Sequence, residues 1–329
     1  LSALTLLTAR ASSDIDMQVI IDQVQAFFAA QQTGDLPVDS RRLFHGRGQC
    51  FPGLEFICVD YFQPSLLITC FREPPAGFIA SLSGALKPLV QSGLFETLVV
   101  QHRYQQGAPS ETLFGELPEQ SLAHRQGLQF LLSLSSRQNT GFFLDMEPGR
   151  AWLAEHAQGK RILNLFAYTC AFSVVAVAAG ASRVVNVDMS RSALETGRRN
   201  HQVNDLPGGR SEFMAENILK SWGRIRRKGP YDLVIIDPPS YQPGSFVALK
   251  DYVRVIRRIP ELMPDGGLVL ACLNAPEVGT AFLESAFAEA CPGSSLVTRL
   301  EPSADFPDVD AEQQLKLMVF EYQPIGRAC

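Results

Sequence analysis

The sequence predicts an α/β protein in two parts, a smaller α+β unit followed by a larger unit built on a parallel β-sheet with helices on both faces. The chain has 329 residues, of which 46% are hydrophobic and 19% are charged, so it has enough apolar surface for two cores. After residue 150, short apolar runs alternate with helical segments, as they do in parallel sheets. Before that point, β-rich runs and helical stretches follow one another without this alternation.

The composition of the chain excludes some classes of function and makes others less favourable. The net charge of −5 and the pI near 5.6 exclude a uniformly basic nucleic-acid coat, so any RNA binding must use a local patch. The seven cysteines contain no Cys-x-x-Cys pair, and the five histidines show no ligand spacing. We therefore expect no metal site, no disulfide framework and a reducing cytoplasmic location. No apolar run reaches the ~18 residues of a membrane span.

The first part is predicted to contain residues 1–40 as one helix and a linker, followed by a small α+β domain at 41–136. Met17, Ile20, Val24 and Phe28 recur at helical spacing, and Gly34 follows as a stop signal. The domain is then predicted from strands at 54–61, 66–71, 97–102 and 128–134, a helix at 77–90, and a loop at 107–118.

The second part, residues 137–329, is predicted to hold the parallel sheet. Its predicted strands are 162–165, 184–187, 233–236 and 268–271, and its predicted helices are 171–179, 192–203 and 252–262. The last apolar segment, 315–321, has no helix after it. We expect it to add an edge strand.

The ends of these strands carry a cofactor signal. In such a sheet the ligand lies at the carboxyl ends of the strands, and an acidic residue after the second strand commonly binds ribose hydroxyls. Asp188 lies directly after the second predicted strand, roughly 20 residues beyond Leu165, the last residue of the first. Alternatively, it caps the next helix beside a Ser192 and Glu195 capping box. The turn at 164–170 has no Gly-x-Gly-x-x-Gly, which disfavours NAD and FAD and favours a nucleoside without phosphate, such as S-adenosylmethionine.

A second signal follows the strand at 233–236, where the sequence reads Asp237-Pro-Pro-Ser-Tyr241. Two prolines fix the backbone, so that its carbonyls point into the cleft. A rigid acceptor beside an aromatic ring suits a flipped-out nucleic-acid base. The alternative is a purely structural turn.

Taken together, these motifs resemble the class I methyltransferases that modify large-subunit ribosomal RNA, whose characterised members make 5-methylcytosine or 7-methylguanine. The resemblance covers roughly residues 44–322 and rests on 140–145 with Arg150, 163–169, 187–190, Asn200 and 237–241. It implies a Rossmann-like domain that binds S-adenosylmethionine. It also implies that Phe166, Tyr168 and Thr169 line the methionine side, that Asp188 holds the ribose and that Asn217 reaches the adenine. The remaining residues predicted to bind the cofactor are Asn164, Met189 and Asp237.

The resemblance also bears on the chemistry. Methylation at carbon 5 of cytosine needs a Cys nucleophile, whereas a ring nitrogen needs only positioning against the sulfonium. Counting from Gly266-Gly267 places Asn274 at the family's Cys position, which favours nitrogen methylation. A register slip of one pair would present Cys272 instead. The predicted catalytic residues are Asp237, Tyr241 and Asn274.

Departures from the family pattern leave alternatives open. Met146-Glu147 stands where the family has Gln-Arg, Cys170 stands at a family Gly, and residues 1–40 do not resemble the usual RNA-binding module. The alternatives are a methyltransferase of a small molecule or protein, and a non-catalytic S-adenosylmethionine-binding protein. Basic residues could contact RNA phosphates or form a solvated helix face. These residues are Lys220, Arg224, Arg226, Arg227, Lys228, Lys250, Arg254, Arg257 and Arg258.

Overall fold

The computed structural model describes residues 16–30, 36–135, 139–239, 241–242 and 246–324. The chain divides into two compact units. The first unit contains Leu1–Glu119 with the short segments Leu134–Gln138 and Pro307–Val309, and the second contains the rest of the chain. The division of the chain into separately folding domains stays a prediction.

The first unit is a five-stranded sheet with two helices. Its elements are α1 (Gln18–Ala29), β1 (Arg41–His45), β2 (Ile57–Phe62), β3 (Ser65–Cys70), α2 (Phe78–Gln91), β4 (Thr97–His102) and β5 (Ser110–Phe114). The strands lie in the order β1-β2-β3-β4-β5, and β3 and β4 are the parallel pair. Apolar side chains of both helices, such as Val24 and Leu82, share one buried core with the strands.

Sequence reasoning missed both edge strands of this sheet. β1 has the sequence RRLFH, and β5 lies inside the region predicted to be a loop. Each carries polar residues that give no strong strand pattern, since an edge strand is only partly covered. The strands β2 and β3, which correspond to the strands predicted at 54–61 and 66–71, are buried at every position and pair as an antiparallel hairpin.

The second unit begins with a short hairpin and continues as an α/β sheet. Its elements are β6 (Leu122–Arg125), β7 (Leu128–Leu131), α3 (Glu147–His156), β8 (Arg161–Leu165), α4 (Ala171–Ala178), β9 (Arg183–Asp188), α5 (Arg191–Gln202), β10 (Ser211–Ala215), α6 (Trp222–Lys228), β11 (Leu233–Ile236), β12 (Tyr241–Gln242), β13 (Phe246–Val247), α7 (Ala248–Ile256), α8 (Ile259–Leu262), β14 (Gly267–Leu273), α9 (Ala281–Ala290), β15 (Ser294–Leu300) and β16 (Lys316–Tyr322).

The seven strands of the main sheet lie in the order β10-β9-β8-β11-β14-β16-β15. All of them run in one direction except β16, which is antiparallel to both of its neighbours. This arrangement confirms the predicted α/β fold. The prediction that 315–321 is an edge strand is wrong, because β15 covers the outer side of β16. β15 was not predicted from the sequence, because most of its side chains are exposed and do not alternate between buried and exposed positions.

Helices cover both faces of this sheet. Leu163, Val185 and Val234 face one core with α6 to α9, whereas Ile162, Val184 and Ile235 face a second core with α3 and α4. Alternation along each strand sends neighbouring residues to opposite faces. Because β8, β9, β11 and β14 are parallel, their carboxyl ends meet at one edge of the sheet. Within the described residues, no helix is long and apolar enough to cross a membrane.

Candidate active site

A cavity of about 330 Å³ lies at this edge of the second unit. The turns after β8, β9, β10, β11 and β14 contribute to its lining, together with residues just before α3. The predicted residues that line it are Phe166, Tyr168, Asp188, Met189, Asn217, Asp237 and Asn274. Asn164 and Thr169 do not line it. The side chain of Tyr241 lies outside the described part of the chain, so its predicted role is not addressed.

Asp188 is held by backbone hydrogen bonds at the end of β9. The Tyr168 N–H donates to Oδ2 over 2.9 Å, and the Ser190 N–H donates to Oδ1 over 2.7 Å. Burial raises the pKa of Asp188, while these two hydrogen bonds act in the opposite direction. The N-cap of α5 is Ser190, whose Oγ accepts from the Ala193 N–H over 3.2 Å. The side chain of Asp188 therefore faces the cavity instead of capping the helix.

The turn between β8 and α4 has an unusual backbone. Phe166, Tyr168 and Cys170 have φ values of 59°, 47° and 62°, in the left-handed region that L-residues rarely adopt. Each such residue costs on the order of 1 to 3 kcal/mol, which the surrounding structure must offset. Phe166 and Tyr168 reach the cavity, whereas Cys170 is buried with Leu194 of α5. Because positive φ values recur at every second residue, the turn presents the side chains of Phe166 and Tyr168 to the cavity and that of Cys170 to the core.

Cys170 occupies the position where the resemblance predicts Gly, and its φ value explains why Gly would be favoured there. Its side chain fits because the facing residue is Gly197 of α5, where a Cβ atom would overlap the Cys170 sulfur. Burial and the charge of Asp188 raise the pKa of the Cys170 thiol well above its usual value. The thiol is therefore a packing group and not a nucleophile.

Asn164 and Thr169 support this turn from behind. Asn164 Nδ2 donates to Asn186 Oδ1 over 2.9 Å, and Asn186 Nδ2 donates to Ser173 Oγ over 2.9 Å. Thr169 Oγ1 donates to the Gly141 carbonyl over 2.6 Å. Both side chains are buried in these interactions, and the structure does not bring them to the cavity.

Asp237 shares the cavity with a second carboxyl group, that of Asp145. Burial and the charge of Asp145 raise the pKa of Asp237 to about 7, although Arg150 opposes this shift. The buried Arg150 donates to the Phe143 carbonyl over 2.8 Å. Asp237 therefore changes its charge near neutral pH, and the charge of the cavity changes with it.

Glu147, which departs from the family pattern, does not line the cavity. Its carboxylate accepts hydrogen bonds from Arg125 Nε over 2.8 Å and from Arg150 Nε over 3.2 Å. Arg125 comes from the β6–β7 hairpin and is buried. The negative charge at position 147 is thus compensated by two cations and does not face a ligand.

Cys272 and Asn274 have different surroundings. Cys272 is completely buried on the face of β14 that packs against α3 and α4. Burial and the charges of Asp237 and Asp145 raise the pKa of its thiol well above the usual value. Asn274 follows the end of β14, has an exposed side chain and lines the cavity.

Several lining residues were not among the predicted site residues. Phe143 and Asp145 belong to the 140–145 motif, which could have identified them. Phe246 has no local signal, and its ring makes an edge contact with Phe166 at a centroid distance of 4.8 Å. The others are Asn139, Met146, Ser190, Ile218, Leu219, Pro238 and Pro239.

Comparison with known proteins decides the family. The model of the S-adenosylmethionine-dependent methyltransferase family matches residues 41–321. The chain belongs to this family. Membership of this family confirms the predicted cofactor, S-adenosylmethionine.

Two curated relatives are both called ribosomal RNA large subunit methyltransferase I. The Aeromonas hydrophila protein is 30% identical over 237 residues, covering 70% of this chain and 59% of its own length. The Tolumonas auensis protein is 25% identical over 315 residues, covering 91% of this chain and 79% of its own length. The chain thus spans about three fifths of the length of the first relative.

The fold is also found in solved structures. The crystal structure of SMU.776 complexed with S-adenosylhomocysteine superposes with a TM-score of 0.81 at 24% identity, covering 93% of this chain and 81% of SMU.776. At this identity the similarity shows the fold. Among the described residues, no group of three or more His, Cys, Asp or Glu side chains could hold a metal ion.

Proposed function

We propose that the protein transfers a methyl group from S-adenosylmethionine to a base of ribosomal RNA, with a ring nitrogen favoured over carbon 5 of cytosine. The observation that carries this proposal is the cavity at the strand ends, with Asp188, Asp237 and Asn274 in its lining. The names of the two relatives support ribosomal RNA as the substrate. With this substrate, we propose a cytoplasmic site of action.

The lining fits this cofactor electrostatically. The described lining residues include three carboxyl groups, those of Asp145, Asp188 and Asp237, and no Lys, Arg or His. This charge favours a ligand that carries a sulfonium and an ammonium group, and it disfavours a pyrophosphate. The lining therefore also disfavours NAD and FAD, as the sequence of the 164–170 turn does.

We assign the cofactor contacts by position. Asp188 binds the ribose hydroxyls, because its backbone partners leave further lone pairs on both carboxylate oxygens. Asn217 recognises the adenine edge, and Met189, which is 44% exposed, covers the ring. Phe166 and Tyr168 form the methionine side. Asn164 and Thr169, which do not line the cavity, act by holding the turn.

The acceptor base is proposed to lie beside Asp237 and Asn274. When bound, the cofactor supplies an electrophilic methyl group on a sulfonium. A ring nitrogen needs only to be held in line with that group, because its lone pair is already available. The Asn274 amide can donate to and accept from a base edge. The Phe143 ring, which is 41% exposed, offers a stacking surface next to Tyr168.

The nitrogen assignment draws support from the cysteines. A C5-methylating enzyme needs a reactive thiolate at the base. Cys272 is buried on the wrong face of β14 and its pKa is raised, so the thiol stays protonated. Asn274, and not Cys272, lines the cavity.

The test is transfer of labelled methyl from the cofactor to protein-free large-subunit ribosomal RNA, to ribosomal subunits, and to cell extract treated with or without ribonuclease. We expect ribonuclease-sensitive label, and nucleoside analysis should identify a methylated ring nitrogen. Label that resists ribonuclease would favour a protein or small-molecule substrate. No label in any fraction, with intact cofactor binding, would favour the non-catalytic alternative. Asp237→Ala serves as the inactive control.

Cytosine chemistry is tested separately with RNA that contains 5-fluorocytosine. We expect no covalent adduct, and we expect Cys272→Ser to retain activity while Asn274→Ala loses most of it. A protein–RNA adduct that disappears in Cys272→Ser would return the enzyme to the 5-methylcytosine branch.

A further inference from the structure

A tyrosine hydroxyl of the second unit lies at the point where two central strands of its sheet separate. The pairing of β11 with β14 ends at Ile236 and Ala271. The Tyr252 hydroxyl of α7 lies 3.2 Å from the Ile236 carbonyl oxygen and 3.1 Å from the Cys272 carbonyl oxygen, and it donates to both. Because a hydroxyl has one hydrogen, the two carbonyl groups share a single donor. Tyr252 therefore links the two strands where their own hydrogen bonds stop.

The two carbonyl groups lead directly into residues of the cavity. The Ile236 carbonyl belongs to the planar peptide unit that continues into Asp237, so its direction is coupled to that of the Asp237 backbone. The Cys272 carbonyl lies two residues before Asn274. Asp237 and Asn274 both line the cavity, whereas Tyr252 is not among the lining residues. One donor outside the lining thus constrains the backbone that carries both side chains.

A second buried side chain holds the chain on the other side of Asn274. Lys316, the first residue of β16, pairs with Leu273 at the end of β14 and is completely buried. Its Nζ donates to the Ala275 carbonyl over 2.8 Å. An ammonium group is rarely buried completely, because its desolvation is costly. Asn274 therefore lies between Cys272 and Ala275, whose carbonyl groups both accept hydrogen bonds from buried side chains.

The surroundings of Tyr252 keep its ring in place and its hydroxyl protonated. The side chain is completely buried, and the ring makes an edge contact with Phe282 at a centroid distance of 6.3 Å. Burial raises the pKa of the hydroxyl well above its usual value, and Cys272 and Asp237 add to this shift. The hydroxyl therefore remains a donor at neutral pH. A phenylalanine ring would fill the same apolar space, so packing alone does not account for the hydroxyl.

We propose that Tyr252 and Lys316 are positioning residues for methyl transfer, which fix the directions in which Asp237 and Asn274 leave the sheet. This inference rests on the proposed function, because it takes the latter two side chains as the contacts of the acceptor base. The acceptor atom must be held in line with the methyl group, and a displacement of about 1 Å costs on the order of a hundredfold in rate. Tyr252 acts on both strand ends, whereas Lys316 acts on the Asn274 side only.

The experiment compares Tyr252→Phe with Tyr231→Phe as a matched control. Tyr231 is also buried and its hydroxyl donates to the Ile225 carbonyl over 2.8 Å, but it precedes β11 at the opposite end of that strand. In methyl transfer to ribosomal RNA, Tyr252→Phe should lower kcat about 10- to 100-fold and change KM for RNA less than about threefold. Tyr231→Phe should keep kcat within about twofold of wild type. Both variants should lose a few degrees of thermal stability, because each loses one buried hydrogen bond.

A second measurement needs no RNA. Calorimetry follows the ratio of affinities for S-adenosylmethionine and S-adenosylhomocysteine against pH, and the midpoint of its change should report the ionisation of Asp237. The charge of Asp145 raises the pKa of Asp237, and that of Arg150 lowers it. A loosened strand end admits water to this carboxyl group, so Tyr252→Phe should move the midpoint down by at least about half a pH unit. Lys316→Met, which removes only the ammonium donor, should lower kcat and leave the midpoint in place.

The outcomes separate this inference from the proposed function. If wild type methylates RNA and Tyr252→Phe loses only stability, with kcat and midpoint as in Tyr231→Phe, the inference is overturned and the proposed function stands. An equal loss of kcat in Tyr231→Phe would also overturn it, since that would indicate a general loosening of the sheet. Unchanged kcat in Lys316→Met would overturn the role of Lys316.

A wild type that binds the cofactor but methylates no RNA would contradict the proposed function. The midpoint then decides this inference by itself. A shift in Tyr252→Phe, absent from Tyr231→Phe, would retain Tyr252 as the positioning residue of Asp237, and no shift would overturn the inference.

Discussion

At the residue scale, the cavity depends on carboxyl groups whose surroundings differ. Asp188 is fixed by two backbone N–H donors, whereas Asp237 is buried beside Asp145 and has a pKa of about 7. The first arrangement preorganises a charged acceptor. The second leaves a carboxyl group whose charge depends on pH and on the charge of the ligand. The two aspartates therefore call for different tests.

Replacing Asp188 with Ala should weaken binding of S-adenosylhomocysteine by about 1.5 to 3 kcal/mol, roughly ten- to hundredfold, because a charge-assisted hydrogen bond to the ribose is lost. The variant should also lose some thermal stability, since the Tyr168 and Ser190 N–H groups lose their acceptor. Calorimetry measures the affinity. Glu195→Ala, an exposed substitution on α5, is the control and should bind normally. Unchanged affinity in Asp188→Ala would remove Asp188 from the cofactor site.

The raised pKa of Asp237 predicts a pH-dependent preference for the charged cofactor. Below pH 7 the carboxyl group is mostly neutral, and above pH 7 it is mostly ionised and attracts the sulfonium of S-adenosylmethionine. The ratio of affinities for S-adenosylmethionine and S-adenosylhomocysteine should therefore rise from pH 6 to pH 8 by about fivefold, or ~1 kcal/mol. Calorimetry at a series of pH values measures it. The same rise in Asp237→Asn would assign the effect to another group.

The same shift has a consequence for stability. A carboxyl group whose folded pKa lies above its unfolded pKa of about 3.9 stabilises the fold fully only below the unfolded value. That contribution is lost as the pH rises through about 7. The wild type should therefore lose stability between pH 4 and pH 8, whereas Asp237→Asn should not. The free energy of unfolding of the variant, relative to that of wild type, should rise by about 1 to 3 kcal/mol between these two pH values. Urea unfolding at both pH values checks the sign, and a constant difference would contradict it.

At the scale of elements, the β8–α4 turn and α5 are matched to each other. Cys170 takes a left-handed conformation, and its side chain occupies the space that the missing Cβ of Gly197 leaves open. Neither residue can be understood by itself. Together they hold the turn whose other residues line the cavity.

We expect Gly197→Ala to destabilise the protein by about 1 to 3 kcal/mol, because the new Cβ overlaps the buried Cys170 sulfur. Adding Cys170→Gly should recover much of this loss, since it removes the sulfur and also suits the positive φ. Urea unfolding of both single variants and the double variant forms a double-mutant cycle. Strictly additive effects would show that the two positions are not coupled. Ala193, another buried small residue of α5, offers Ala193→Gly as a control for altered helix propensity.

At the scale of the whole molecule, each compact unit has its own hydrophobic core. One core contains α1, α2 and the first sheet, and two others cover the faces of the second sheet. The cofactor cavity belongs entirely to the second unit. Ligand linkage should therefore act on one unit and not on the other.

Differential scanning calorimetry is expected to resolve two transitions if the units fold separately. S-adenosylhomocysteine at ~100 times its dissociation constant should raise the second unit's stability by ~2.7 kcal/mol and leave the other transition in place. NAD should move neither transition. A single transition that shifts as a whole with S-adenosylhomocysteine would contradict separate folding.

Local pattern was enough to predict much of this protein. The central strands β8, β9, β11 and β14 are apolar runs in regular alternation with helices, and Asp188 and Asp237 stand directly at strand ends. Strand direction then requires these carboxyl groups to meet at one edge. The sequence therefore predicted the fold class, the cofactor and the place of the cavity, because each depends on short-range order.

Tertiary structure decided what depends on residues far apart in the chain. β16 is inserted between β14 and β15, and Glu147 is compensated by Arg125 of the β6–β7 hairpin. Cys170 is accommodated by Gly197, and the Tyr252 hydroxyl of α7 meets carbonyl groups of β11 and β14. None of these pairings leaves a periodic or local signal. The sequence determined which residues could do chemistry, and long-range packing determined which of them line the cavity.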